Sequence, residues 1–565
     1  MAELEFRLAY QDGRTASSGE RSGESVAPEV DPYTVPREFN AAAHFIDRHL
    51  TEGRAEKTAL IDDAGAYSYA QIAARVNRFG NMLHRLGVAM EQRVMVCLVD
   101  GVDFPSAFFG AIKSGVVPVP VSTLLTPAEY AYMMRDTRAP VIVASAPLLE
   151  RLGPALAEQP FVRAVLVAGA DDGGAISRMP ASLRARVRNL HQLIDESPDS
   201  LKPADTVAEE VAFWLYSSGS TGPPKAAAHR HESLLHTAIL YGDRVLGIRE
   251  TDVVFSAAKM FFAYGLGNSL TFPLHVGATA VVTAQRPTPA SVMQVMSAHG
   301  PTIFYGVPTL FASILADPTA SRTQGSARLR VCVSAGEALP ADLGKRWRER
   351  FGVDILDGIG STEILHIFIS NRLGDVRYGT SGKPVPGYTV RVLDDHGNEV
   401  ADADVGDLWC RGPSICSGYW NNRAASTRTF VGEWIRTGDK YTREPYGYFR
   451  YVGRSDDMLK VSGMWVSPFE VESALAEHPA VLEAAVVGRN DADNLIKPMA
   501  FVVLKKDKQG SPALADELRA FVKQRLAPYK YPRWIVFRAQ LPKTATGKIQ
   551  RFKLRDLSVN IGPES

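Results

Sequence analysis

The chain has 565 residues, of which 45% are hydrophobic, and its 63 Lys and Arg against 62 Asp and Glu leave a formal net charge of +1. This length exceeds the usual size of a single core, so we expect two or three domains. The near-neutral charge gives no electrostatic reason to expect nucleic acid or a membrane surface as the main partner, and no apolar stretch approaches the roughly 18 residues of a membrane span.

The four cysteines, Cys97, Cys332, Cys410 and Cys416, form no C-x-x-C pair. Because Cys97 and Cys332 lie inside apolar runs, the pattern predicts buried reduced thiols rather than a metal or redox site. The polar N-terminus lacks the apolar core of a signal peptide. We therefore expect a cytoplasmic protein.

The first segment, residues 1–38, is rich in Ser, Gly and Glu around residues 11–32 and is predicted to be a mobile tail. From residue 39 to residue 454, short apolar runs alternate with segments of helical periodicity. Clear examples of such runs are residues 93–98, 140–144 and 162–167. This alternation is typical of an α/β fold with mostly parallel sheets, in which ligands gather at the carboxyl ends of the strands.

A predicted buried strand over residues 211–216 leads into a loop of hydroxyls, glycines and one lysine, Tyr216-Ser-Ser-Gly-Ser-Thr-Gly-Pro-Pro-Lys225. Glycines allow close approach of the backbone to a ligand, and hydroxyls and a lysine suit phosphate oxygens. The residues that form this candidate phosphate site are Ser217, Ser218, Gly219, Ser220, Thr221, Gly222 and Lys225. A flexible Ser/Gly linker is the alternative, and the P-loop motif G-x-x-x-x-G-K-[ST] is not present here.

Residues 455–565 have a different pattern and predict a small mobile α+β domain. Helices are expected over 468–477 and near 514–526, and strands over 481–487, 499–504 and 534–537. The whole chain is therefore expected to be α/β, with a large domain over 39–454 and a small C-terminal domain.

The loop at 216–225 resembles the signature loop of the acyl-adenylate-forming enzymes, which include acyl-CoA synthetases, adenylation domains and luciferases. Four more motifs of that superfamily follow in the expected order: Asp357-Gly-Ile-Gly-Ser-Thr-Glu363, Thr437-Gly-Asp439, Gly453-Arg-Ser-Asp-Asp-Met-Leu-Lys460 with Gly463, and Pro542-Lys-Thr-Ala-Thr-Gly-Lys548. Each motif alone is weak, but five in register are specific.

The resemblance implies an ATP site. It assigns Glu363, beside Thr362, to Mg²⁺, and Asp439 to the ribose hydroxyls. A surface glutamate and an ordinary Thr-Gly-Asp turn are the alternatives for these two. Arg454 is expected at the ribose or phosphate. Asp357 and Gly358 are expected at adenine, together with Ile359, which stands where many relatives carry a stacking tyrosine.

The resemblance also implies two steps in one site. Lys548 is expected to stabilise the transfer of AMP to a carboxylate, although a solvated lysine is the ordinary interpretation of such a residue. A thiol then attacks the acyl-adenylate. The small domain is expected to rotate about Asp456 between these steps, bringing the loop with Lys460 and Gly463 toward the pantetheine arm of CoA.

Three segments, 259–268, 333–337 and 358–368, are similar to the benzoate-CoA ligase branch. They predict a pocket for a flat aromatic acid such as benzoate or 2-aminobenzoate, formed by Phe262, Ala263, Tyr264, Gly265, Ala335, Gly336, Gly360, Ile364 and His366. These residue types are also ordinary in protein cores. His366 is either a ligand contact or a satisfied structural histidine.

Two further functions stay open from the sequence. A stand-alone enzyme could load an aryl group onto the phosphopantetheine of a carrier protein instead of free CoA. A catalytically silent protein could bind an acyl-nucleotide without reaction, but this is disfavoured by the presence of Lys548, Glu363 and Asp439 together.

Overall fold

The structure, a computed structural model, describes residues 35–156, 159–170, 174–217, 223–455, 457–461, 464–491, 495–527, 529–543 and 549–559. The chain is α/β, with a large domain of mostly parallel sheets and a smaller C-terminal domain, as predicted. Most of the tail predicted over residues 1–38 lies outside the described residues. Glu38 is described, and it pairs with Val207 in an isolated antiparallel bridge.

A nine-stranded sheet forms the middle of the large domain, and its central strands run parallel. In spatial order its strands are Lys383–Pro384, Ile367–Ser370, Ile355–Gly360, Val331–Ser334, Ile303–Gly306, Val253–Ser256, Thr279–Val281, Thr58–Ile61 and Ala66–Ser68. Successive residues of one strand point to opposite faces of the sheet and lie in different hydrophobic clusters: Val331 and Val333 belong to one cluster and Cys332 to another. Both faces of the sheet are therefore covered, which explains its nearly continuous apolar strands.

A second sheet of five parallel strands has the order Val117–Pro120, Arg93–Cys97, Val141–Ser145, Ala164–Ala168 and Val187–Asn189. The predicted strands at 93–98, 140–144 and 162–167 are confirmed here with small shifts at their ends. The largest core lies between this sheet and the nine-stranded one, and includes buried residues of the helices Tyr69–Arg85 and Asp103–Lys113.

Antiparallel pairs occur at both edges of the nine-stranded sheet and in two other parts of the large domain, which the predicted alternation does not anticipate. Val211–Ser217 pairs with Lys225–Arg230 as a hairpin around the candidate phosphate loop. The strands Thr389–Leu393, Val405–Arg411, Phe430–Val431, Trp434–Glu444 and Tyr448–Arg454 form an antiparallel sheet. Short turns join several of these neighbours, and such connections favour antiparallel pairing over helical crossovers.

The C-terminal domain has a three-stranded sheet of Val481–Asn490, Ile496–Leu504 and Trp534–Phe537, and a two-stranded one of Leu459–Val461 and Met464–Val466. Pro468–Ala476 and Pro512–Lys523 are helical, so the elements predicted for this region are confirmed. Apolar residues cover both faces of the three-stranded sheet.

The remaining α-helices are Arg48–Thr51, Pro127–Thr137, Leu149–Leu156, Ala175–Arg178, Ala181–Arg184, Leu190–Asp195, His231–Thr237, Ala263–Leu266, Phe272–Val276, Pro289–His299, Pro308–Leu315, Ala341–Phe351, Arg423–Thr429 and Arg551–Val559. Short π-helices cover Ala43–Asp47, Ala238–Asp243 and Gly267–Thr271, and 3₁₀ turns cover Ala146–Leu148 and Pro445–Gly447. Helices in the described part of the chain fall short of the length and apolarity that a membrane span needs.

Candidate functional site

A cleft of about 2410 Å³ is lined by residues of both the large and the C-terminal domain. It collects predicted residues from distant parts of the sequence: Ser217, Lys225, Asp357, Gly358, Ile359, Thr362, Glu363, Asp439 and Arg454. Ser218, Gly219, Ser220, Thr221 and Gly222 lie outside the described residues. The fold thus brings three of the five sequence motifs onto one surface, together with the two ends of the phosphate loop.

Asp357 is the third residue of the strand Ile355–Gly360, and it is only 5% exposed. Its Oδ2 accepts a hydrogen bond from the Leu339 backbone N–H at 3.3 Å, while its Oδ1 is buried without a partner. Burial raises the pKa of this carboxyl well above its usual value. A buried acceptor on a cleft wall is costly unless a ligand donates to it.

Thr362 and Glu363 follow this strand and are held by three contacts. The Thr362 carbonyl accepts from His229 Nε2 at 2.8 Å, and burial lowers the pKa of His229 to about 4, so this imidazole is neutral. The Glu363 carbonyl accepts from the Cys416 N–H at 2.8 Å. The Glu363 carboxylate accepts from the Tyr419 hydroxyl at 2.8 Å through Oε1.

The predicted metal ligand can be tested against this arrangement. Among the described residues, no group of three His, Cys, Asp or Glu side chains is placed to hold a metal by itself. Mg²⁺ that binds with a nucleotide usually takes one or two carboxylates and fills its other positions with phosphate oxygens and water. A single carboxylate on the cleft wall, Glu363, fits that mode of binding.

Asp439 and Arg454 face each other on neighbouring antiparallel strands, Trp434–Glu444 and Tyr448–Arg454. Arg454 Nη1 donates to Asp439 Oδ1 at 3.1 Å and to the Thr437 carbonyl at 3.0 Å. The Thr437 hydroxyl accepts from the Asp439 N–H at 3.2 Å. The turn therefore presents a carboxylate and a guanidinium to the cleft in a defined orientation.

The hairpin around the phosphate loop pairs Ser217 with Lys225, and both residues line the cleft. The Lys225 ammonium lies 4.7 Å from the centre of the Tyr419 ring, a cation–π distance. Lys225 is thereby held at the same wall as Glu363.

The predicted acid pocket is placed partly on the cleft and partly behind it. Gly336 and Gly360 line the cleft. A Cβ added at Gly360 would lie 2.6 Å from the His366 carbonyl oxygen, so glycine is needed for this close approach. Behind this surface, in or against the main core, are Phe262, Ala263, Tyr264, Ala335 and Ile364, with Gly265 buried beside them.

His366 is buried in an aromatic layer, with ring centres of Tyr241, Tyr264 and Phe272 at 5.1, 5.6 and 4.5 Å. Its Nε2 lies 3.2 Å from Asn268 Oδ1, so that nitrogen carries the proton, while Nδ1 is buried and makes no hydrogen bond. Burial lowers the pKa of His366 to about 3. At neutral pH it is therefore a hydrogen-bonding group and not a charge.

Three predicted residues fall outside the described residues, namely Lys548 of the first step and Asp456 and Gly463 of the second. Lys460 lies in the strand Leu459–Val461. Ile549, which directly follows Lys548 in the chain, donates its N–H to Glu337 Oε1 at 3.3 Å and is paired with Lys543. This backbone contact joins the C-terminal domain to the segment at 333–337 of the large domain.

Sequence reasoning gave no role to Tyr419, Glu337 or His229. Tyr419 is 56 residues from Glu363 along the chain, and Glu337 is 212 residues from Ile549. Local sequence patterns do not predict contacts between residues so far apart in the chain. The Ser-Gly-Tyr-Trp segment at 417–420 was the one available signal, because small residues and a tyrosine between elements are typical of a loop that approaches a ligand.

The chain matches two families of known proteins, one in each domain. The family described as "AMP-binding enzyme" matches residues 47–420, and "AMP-binding enzyme C-terminal domain" matches residues 470–548. A benzoate-CoA ligase of Thauera aromatica is 56% identical over 523 residues, 92% of this chain and 96% of that protein.

Solved structures of two CoA ligases are similar to this structure. A benzoate-CoA ligase from Burkholderia xenovorans LB400 has a TM-score of 0.84 at 51% identity, over 92% of this chain and 100% of that one. The anthranilate-CoA ligase AuaEII, in complex with anthranoyl-AMP, has a TM-score of 0.87 at 42% identity, over 93% and 98%.

Proposed function

We propose that this chain, which belongs to the AMP-binding enzyme family, is an aryl-CoA ligase that joins benzoate or a small substituted benzoate to CoA with ATP as the energy source. The observation that carries the proposal is the 56% identity to a benzoate-CoA ligase across nearly the full length of both proteins. The cleft also supports the proposal, because hydrogen-bond acceptors and donors suited to a nucleotide line it and buried aromatic residues lie behind it.

In the first step, a carboxylate oxygen of the acid attacks the α-phosphorus of ATP, forming an acyl–AMP anhydride and releasing pyrophosphate. We assign Asp357 to the adenine amine, Asp439 and Arg454 to the ribose, and Lys225 with the loop 217–222 to the phosphates. Mg²⁺ held with the phosphates near Glu363 would neutralise part of their charge. Lys548 is proposed to approach the α-phosphate and the carboxylate of the acid.

In the second step, the CoA thiol attacks the acyl carbonyl carbon, so that the thioester forms, the C–O bond to AMP breaks and the thiol proton is released. We propose that residues 39–454 and 455–565 are the two bodies that rearrange between the steps, about Asp456, and that Lys460 and Gly463 then face the pantetheine arm. One cleft can serve both reactions only if different groups enter it in turn.

For the acid, we propose an uncharged aromatic ring that reaches from the cleft toward the layer of Tyr264, Ile364 and His366. The neutral imidazole of His366 gives no charge to attract a second carboxylate on the ring, whereas its Nδ1 can accept from an amino or hydroxyl substituent. We therefore expect benzoate and 2-aminobenzoate to be accepted and phthalate to be rejected. The four buried thiols suit a reducing compartment, and we place the enzyme in the cytoplasm.

The test is a pyrophosphate-release assay with benzoate, aminobenzoates, hydroxybenzoates, phthalate and short fatty acids, each with and without CoA. Pyrophosphate release that depends on an aromatic acid, followed by AMP and aryl-CoA when CoA is added, is the expected result. Replacing CoA by a phosphopantetheinylated carrier protein separates the two acceptors. Failure of every acid to release pyrophosphate would contradict the proposed activity, and a strict preference for carrier protein would contradict the proposed acceptor.

A further inference from the structure

Tyr419 lies in the loop between the strand Val405–Arg411 and the helix Arg423–Thr429, and it is 7% exposed. Its backbone is fixed from two sides. It pairs with Ala227 in an antiparallel bridge, and its N–H donates to Ser426 Oγ at 3.0 Å. The neighbouring Trp420 N–H donates to the Ala226 carbonyl at 2.9 Å. The loop is thus attached to the strand that begins with Lys225.

The side chain of Tyr419 contacts two groups of opposite charge. Its hydroxyl donates to Glu363 Oε1 at 2.8 Å, and its ring lies 4.7 Å from the Lys225 ammonium. A tyrosine hydroxyl has an ordinary pKa of about 10, so it is protonated at neutral pH and remains a donor.

Lys225 and Glu363 line one cleft, and such a pair attracts strongly where water is partly excluded. Within the described part of the chain, no ion pair joins them or involves either of them. Tyr419 contacts both of them. A lysine and a carboxylate that neutralised each other would lose much of their ability to bind a phosphate and a cation.

We propose that Tyr419 is a positioning residue for the metal–nucleotide complex: its hydroxyl orients the Glu363 carboxylate toward the cation, and its ring holds Lys225 toward the phosphates. This rests on the proposed function only in taking ATP with Mg²⁺ as the ligand. The two roles belong to different parts of one side chain, so substitutions can separate them.

The experiment measures equilibrium binding of ATP by calorimetry, without any acid, in Mg²⁺ and in EDTA. In Tyr419→Phe the ring stays and the hydroxyl is lost. We expect unchanged affinity in EDTA, and a gain in affinity on adding Mg²⁺ that is about 5- to 10-fold smaller than in the wild type, an effect in the range usual for the loss of one hydrogen bond. In Tyr419→Leu we expect affinity in EDTA to fall as well, because Lys225 loses its support.

Tyr378→Phe is the matched control. The Tyr378 hydroxyl donates to Asp354 Oδ1 at 2.8 Å, and neither residue lines the cleft. This variant loses the same kind of hydrogen bond and should keep the wild-type response to Mg²⁺. A second check uses Glu363→Gln, in whose background Tyr419→Phe should have no further effect on the response to Mg²⁺.

An unchanged Mg²⁺ response in Tyr419→Phe would overturn the inference, as would an equal loss in Mg²⁺ and EDTA or the same loss in Tyr378→Phe. Circular dichroism and thermal unfolding establish that each variant is folded. Wild-type protein that binds no ATP under either condition would overturn the proposed function together with this inference. Binding with an unaltered Mg²⁺ response would overturn the role of Tyr419 alone.

Discussion

Asp357→Asn changes a buried carboxylate on the cleft wall, one oxygen of which has no partner among the described residues. In the wild type, Oδ2 accepts from the Leu339 N–H, and Oδ1 is left for a ligand. An asparagine oxygen can still accept from Leu339, but its NH₂ group then occupies the second position. If the adenine amine binds at that position, the NH₂ groups of the asparagine and of adenine face each other there, and no hydrogen bond can form.

The magnitude follows from the cost of a buried polar group without a partner, about 1–3 kcal/mol. A purine nucleotide that lacks the 6-amino group cannot donate to Oδ1, so the wild type should bind ATP roughly 5- to 150-fold more tightly than purine riboside triphosphate. Asp357→Asn should remove most of this difference. Its main effect should be on ATP and not on the analogue.

The same residue makes a prediction about stability. Burial raises the folded-state pKa of Asp357, so the folded protein binds this proton more tightly than the unfolded chain does. Keeping the carboxylate ionised therefore costs stability at high pH, and the cost disappears as the pH falls toward the unfolded value. Ligand-free Asp357→Asn should unfold at a higher temperature than the wild type at pH 8, with a smaller advantage at pH 5.

Calorimetry with the two nucleotides and thermal unfolding at the two pH values check both parts. Asp439→Asn is the control, because the same chemical change at the proposed ribose site should weaken both nucleotides alike. The reasoning would be refuted if Asp357→Asn kept the wild-type preference for ATP over the analogue, or if the ligand-free variant were less stable at pH 8.

Two further predictions concern other parts of the molecule. Glu337→Ala removes the acceptor of the Ile549 N–H. In single-turnover quench experiments this variant should adenylate about 5- to 10-fold more slowly, while it forms the thioester from supplied aryl-adenylate at the wild-type rate. Equal losses of rate in the two steps would contradict this prediction. Burial lowers the pKa of His44 to about 3, and of His49 and His275 to about 4, from 6.5. Below pH 6.5 the unfolded chain therefore binds protons that the folded chain does not, and urea unfolding should show stability falling by about 2 kcal/mol per histidine at pH 5. His44→Phe should reduce that loss, and stability that is flat between pH 7.5 and 5 would contradict the assignment.

Strands were predictable where an apolar run is bounded by turn residues. Trp534–Phe537 was placed without error, and Arg93–Cys97 within one residue. The pairing of strands was less predictable, because the residues of an apolar strand do not determine which strand lies next to it. Val211–Ser217 has the composition of a buried parallel strand, but it pairs in antiparallel fashion with the strand after its own loop.

Within the site, the described polar residues of the short motifs line one cleft, as the sequence suggested, although Asp357 and Asp439 lie inside strands and not after them. The aromatic residues were harder to assign. Tyr264 donates to the Val333 carbonyl at 3.1 Å and belongs to a layer that also supports the main core. Composition cannot separate a side chain that supports a pocket from one that lines it, because both are apolar and buried.

The groups on the cleft wall come from separate sheets, and this has a physical consequence. Asp357 belongs to the nine-stranded sheet, Lys225 to the hairpin, and Asp439 with Arg454 to the antiparallel sheet. Their spacing is therefore set by packing between sheets and by contacts such as those of Tyr419. Arg454 is also the last residue of its strand, two positions before the proposed pivot at Asp456. If the C-terminal domain moves about Asp456 as proposed, that movement acts directly on a residue of the proposed nucleotide site, and nucleotide binding then biases the position of the domain, because such coupling is reciprocal.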